Sequence, residues 1–150
     1  MSQYHLAQLN IANAKAPIDS PTMAGFVARL DEIHGLADNA DGFIWRWESG
    51  SEDSSAVEVF GDPQLLVNLS VWASMESLKH FVYKTVHVEL IREREAWFDK
   101  MPAMSQVVWW VPVGHIPSVA ESKKKLEQLR SVGPTETAFT LAQPYSMPVN

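Results

Sequence analysis

The chain has 150 residues, 46% hydrophobic and 20% charged, with 12 Lys plus Arg against 18 Asp plus Glu for a net charge of −6. That length suits one domain, and the acidic balance would repel a phosphate backbone, which argues against nucleic acid as a partner. There is no cysteine and no long apolar run, which excludes disulfides and thiolate chemistry and predicts no membrane span. Met1 to His5 carries no basic-then-apolar leader, so the expected setting is the cytoplasm.

Residues 4–12 alternate with a period of two and predict a first strand. Tyr4, Leu6, Gln8 and Asn10 lie on one face, and His5, Ala7, Leu9 and Ile11 on the other. Ser20 and Pro21 are suited to open a helix, and Met23, Phe26, Val27, Leu30, Ile33 and Leu36 recur at helical spacing over 21–38. Asp41-Gly42 ends that connection. Residues 43–47 form a second strand, 48–56 a polar loop, and 57–60 a short extended piece. Residues 65–72 form a third strand, with Leu65, Val67, Leu69 and Val71 opposite Leu66, Asn68, Ser70 and Trp72.

Ser74 is placed to cap a second helical region over 75–99, broken near 83–85. Residues 105–113 form a fourth strand, with Pro112 where no ladder donor is needed. Ser118-Val119-Ala120-Glu121 has the pattern of a capping box opening a third helix to about residue 131. Gly133-Pro134 stops that helix, and residues 134–150 read as an extended tail.

The order is β-α-β-β-α-β plus an additional helix, a ferredoxin-like α+β arrangement with an antiparallel sheet. It forms a single domain over 1–150, with a core in 3–113 and a C-terminal helix and tail in 114–150. Such a sheet has one face under two helices and the other bare. The apolar faces Ala7/Leu9/Ile11 and Val67/Leu69/Val71 need cover. Face-to-face pairing of two copies into a homodimer supplies it, and so would the C-terminal helix.

On the second helical region, Tyr83, Ile91, Arg94 and Phe98 fall within roughly 40° of His87 around the helix axis. His87 and Arg94 therefore share the stripe that faces the sheet. An imidazole there can act as base, acid or metal ligand, or sit as a hydrogen-bonded core residue. Arg94 would meet a carboxylate, either the protein's own or a ligand's. Gln8, Asn10, Asn68 and Trp72 come from adjacent central strands on the side under the helices. Together with His87 they line a small-molecule pocket, or else form a buried network that fixes strand register. His80 is too far from His87 to share a metal, and no carboxylate completes a site. His115 is a turn residue near the pocket mouth. Lys123–Lys125 form a solvated helix face.

The segments Tyr4–Asn10, Ala24–Val27, Leu66–Trp72, Trp109–Pro112 and Gly114–Pro117 resemble the family known as domain of unknown function 3291 over nearly the whole chain. The resemblance implies the dimeric α+β barrel superfamily, which includes antibiotic-biosynthesis and haem-degrading monooxygenases. The haem-degrading branch uses an Asn on the first strand, a Trp early in the second helix and a proximal His later in it. Asn10 and His87 match the first and third by position, and Phe81 stands in the place of the Trp.

The resemblance implies no established reaction, and the first reading is a small-molecule-binding protein or enzyme of monooxygenase-like type. His87 would be an axial haem ligand or, with no cofactor, a general base. Asn10 and Asn68 would hydrogen-bond substrate or oxygen, with Gln8 beside them. Trp72, Phe81 and Tyr83 would form walls, and Arg94 would hold a carboxylate. The alternatives are a non-catalytic binder of an aromatic molecule and a purely structural homodimer.

Overall fold

A computed structural model of the chain describes residues 3–14, 20–25, 28, 35–47, 65–81, 98–99 and 105–148. Its strands are β1 (Tyr4–Ala14), β2 (Phe43–Arg46), β3 (Leu65–Trp72), β4 (Phe98–Asp99) and β5 (Gln106–Pro112). Its α-helices are α1 (Met75–His80) and α2 (Val119–Val132), and Pro21–Met23 is a 3-10 turn. The architecture is mixed α+β. The four main strands run in the order β2-β3-β1-β5, each antiparallel to its neighbour, and the two-residue β4 joins the far end of β1.

β1 is central because both its edges are paired. Gln8 stands opposite Ser70 on one side and Val108 on the other. Alternation then separates two faces, each with its own core. One contains Ala7, Leu9, Ile11, Leu69, Val71, Val107, Trp109 and Val111, packed with Val119, Leu126 and Leu129 of α2. All of these side chains are buried within one chain. The cover is therefore intramolecular, and the apolar surface that argued for pairing two copies face to face is already out of water. The strand pattern permitted either cover. Leu126 and Leu129, three apart on one side of a well-capped helix, supplied the nearer one.

The other face holds Leu6, Trp72 and Val108 under Ala37, Leu78, Phe81, Phe139 and Leu141. Here the C-terminal tail does more than extend. A turn closed by hydrogen bonds between Thr135 and Ala138 leads Phe139 to exchange two backbone hydrogen bonds of 2.9 Å with Val108. That contact covers the outer edge of β5, which would otherwise offer free ladder groups.

Three expectations change. Ser20 makes no side-chain cap hydrogen bond, although Pro21 does begin the 3-10 turn. The helix expected through residue 99 does not reach it, because Phe98 and Asp99 pair as a strand with Ala14 and Asn13. Phe98 is therefore not a helical residue. Ser118 accepts from the Glu121 amide as a capping residue should, but the Glu121 carboxylate turns to His115 and Trp109 rather than back to the cap. The expected extended piece at 57–60 lies outside the described residues.

Gly42 is needed where the chain turns into β2. Its φ is +84°, and a β-carbon there would collide with the Ser77 side chain on α1. Its carbonyl accepts from the Ala73 amide at 2.7 Å, so the turn, the end of β3 and the start of α1 are locked together. Ser74 caps α1, accepting from the Ser77 amide at 3.1 Å.

Candidate functional site

The helix-side face of the sheet resolves into three cross-strand rows. The first is Phe43, Trp72, Leu6 and Trp110. Trp72 is 1% exposed and packs between Phe43, edge-on with ring centres 5.4 Å apart, and Phe81 at 5.1 Å. Two of the sequence-predicted aromatics, Trp72 and Phe81, are core residues whose rings meet one another.

The second row is Arg46, Ser70, Gln8 and Val108. A bulge in β2 between Phe43 and Trp45 brings Arg46 onto this face. Its guanidinium pairs with Asp38 from the helical residues 35–38. Ser70 is the hub of the row. Its hydroxyl accepts from Trp72 Nε1 at 3.0 Å and from Gln8 Nε2 at 2.9 Å. The Gln8 amide also donates to Asn68 Oδ1 at 3.4 Å. Gln8 and Ser70 are each 5% exposed.

The third row is Asn68, Asn10 and Gln106, three carboxamides directly opposite one another on β3, β1 and β5. Asn10 and Asn68 are exposed and Gln106 is half-buried. Within three residues along each strand the face thus passes from buried aromatics, through a buried polar row, to an accessible row of neutral donors and acceptors.

Of the sequence-predicted site residues, the structure brings Gln8, Asn10, Asn68, Trp72 and Phe81 to one face. His87, Tyr83 and Arg94 lie outside the described residues. Ser70, Gln106 and Arg46 were missed as site residues. Ser70 was visible in the alternation between Asn68 and Trp72. Gln106 required the β1–β5 register, and Arg46 the bulge.

A second polar cluster lies across the sheet. Glu121 accepts from Trp109 Nε1 at 3.0 Å and meets His115 Nε2 at 2.7 Å. It borders an open groove of about 440 Å³ lined by Ser118, Ala120, Glu121, Lys124, Lys125 and Gln128. His115 is thus tied to the first turn of α2, on the side of the sheet away from the carboxamide rows.

The donor set of the three rows does not suit iron. Carboxamides, a hydroxyl and indoles are poor ligands for a porphyrin metal, and the rows contain no imidazole. Among the described residues no cluster of three His, Cys, Asp or Glu side chains could hold a metal ion, and no helix is long and apolar enough to cross a membrane.

Fold and face together define a mixed α+β domain whose sheet carries a carboxamide row beyond its aromatic core. The chain belongs to the family described as Domain of unknown function (DUF3291), whose model matches residues 5–150. No curated protein matches it. Among solved structures it is similar to the PA3566 protein of Pseudomonas aeruginosa, at 15% identity and a TM-score of 0.47, covering 75% of this chain and 95% of that one. It is also similar to NE2512, a protein of unknown function from Nitrosomonas europaea, at 12% identity and a TM-score of 0.47, covering 77% and 95%.

Proposed function

We propose that the chain is a small-molecule-binding protein whose ligand lies against the Asn68–Asn10–Gln106 row, with its polar edge toward Gln8 and Ser70. The observation that carries this is the register itself, which stacks three carboxamides across three strands where the aromatic packing stops. A few convergent polar groups beside apolar walls are the usual make-up of a ligand site. An acid would find no open cation in these rows, since Arg46 is paired with Asp38, so the ligand is uncharged at this edge. The strand order and antiparallel neighbours support a ferredoxin-like reading of the scaffold. With α2 over the apolar face, ligand binding at the opposite face requires no second copy.

The test uses 2-naphthol as an aromatic probe and the side-chain amide signals of labelled protein in nuclear magnetic resonance. Shifts are expected at Gln8, Asn10 and Asn68, weakened in an Asn10→Ala, Asn68→Ala variant. Signals that stay still at saturating probe would refute the site. The monooxygenase-like and haem readings rest on His87. Haemin added to the protein tests them, because a Soret shift abolished by His87→Ala would place iron in this protein.

A further inference from the structure

We infer that the ligand of this face carries a cis-amide edge, an N–H and a C=O side by side on a planar, uncharged ring of lactam, imide or pyrimidine type. This rests on the reading of the carboxamide face as a ligand site. The argument begins from hydrogen-bonding capacity. A serine hydroxyl has two acceptor sites and one hydrogen, and a primary carboxamide has two hydrogens and one acceptor oxygen.

Ser70 Oγ accepts from both Trp72 and Gln8. Its acceptor sites are filled, and its own hydrogen meets no acceptor among the described residues. Gln8 Nε2 sends its two hydrogens to Ser70 and Asn68. Its carbonyl oxygen receives no donor among the described residues. Both side chains are 5% exposed, and the Gln8 oxygen is not among the fully enclosed side-chain atoms that lack a partner, so a ligand can reach it and polar groups so nearly buried are usually matched. One donor and one acceptor therefore stand on adjacent side chains, next to the exposed Asn10 and Asn68.

A cis-amide presents the matching pair: its C=O accepts from Ser70 and its N–H donates to Gln8. The match requires the Gln8 nitrogen to face Ser70. That orientation also lets Gln8 donate to Asn68 Oδ1, whereas a half-turn of the carboxamide would set two oxygens against each other. Asn10, Asn68 and Gln106 are carboxamides as well, and they offer the same alternation of donor and acceptor along the third row. A carboxylate or phosphate would leave the Gln8 oxygen unanswered, and a hydrocarbon would leave both groups so.

Three probes separate this inference from the reading beneath it: 2-quinolinone, which has the cis-amide edge; 1-methyl-2-quinolinone, whose N–H is blocked; and 2-naphthol, a similar ring with a single hydroxyl. Dissociation constants for the intact wild-type chain are measured by titration, with the Gln8 side-chain signal as the reporter of location. We expect 2-quinolinone to bind about tenfold more tightly than either of the others, the worth of one buried hydrogen bond, and to shift the Gln8 signal most. Equal affinities for the three would overturn the cis-amide inference and leave an aromatic-binding site. Tighter binding of 2-quinolinone that leaves the Gln8 signal unmoved would overturn the inference as well. Failure of all three to bind would remove the site reading, and the inference with it.

Discussion

Ser70 holds two donors, the indole of Trp72 and the amide of Gln8. Replacing it with alanine removes one small side chain but orphans one buried N–H on each side. Each buried unsatisfied group costs about 1–3 kcal/mol. Ser70→Ala is accordingly expected to lower unfolding free energy by about 2 kcal/mol in urea titration, more than an ordinary surface change. A loss within about 0.5 kcal/mol would mean that water replaces the hydroxyl and that the row is wetter than its burial implies. This residue also shows what alternation can and cannot reveal. Asn68, Ser70 and Trp72 fall on one face by counting alone. That the middle one joins the other two to Gln8 follows only from the pairing of β1 with β3.

At the scale of the element, the ends of the helices carry much of the specification. Gly42 turns the chain at positive φ against Ser77 of α1, so α1 can approach only because residue 42 has no side chain. Gly42→Ala imposes both a strained backbone and a collision. The expected loss is about 1–3 kcal/mol, read as a lowered melting temperature. An unchanged melting point would show that α1 can slide away without cost. At the start of α2 the sequence pattern of a capping box is present and half realised. Ser118 caps, while Glu121 is diverted to Trp109 and His115. A local pattern names the residues able to make a bond. Which bond wins depends on partners brought from β5 and from the turn before the helix.

For the whole molecule, the placement of α2 decides what the sheet can do. Covered by Leu126 and Leu129, the Ala7/Leu9/Ile11 face belongs to a core closed within one chain. Substituting both leucines by aspartate places charge against that core and should lift the helix from it. The variant is expected to elute from a sizing column as larger species, because the released face is apolar and needs a new partner. A double variant that remains the size of wild type would show that α2 is dispensable as cover.

Periodicity and turn chemistry in the chain itself determined the main strands, the capped start of α2 and the division of each strand into a polar and an apolar face. These are local properties, set by a side chain's position relative to its near neighbours. Tertiary structure alone decided which body covers the apolar face, where the Glu121 carboxylate goes, how the bulge turns Arg46 inward, and that Asn68, Asn10 and Gln106 form one row. Each of these depends on the register between segments far apart in the chain. No short-range pattern encodes that register, because it is selected by the summed burial and hydrogen bonding of all the strands at once.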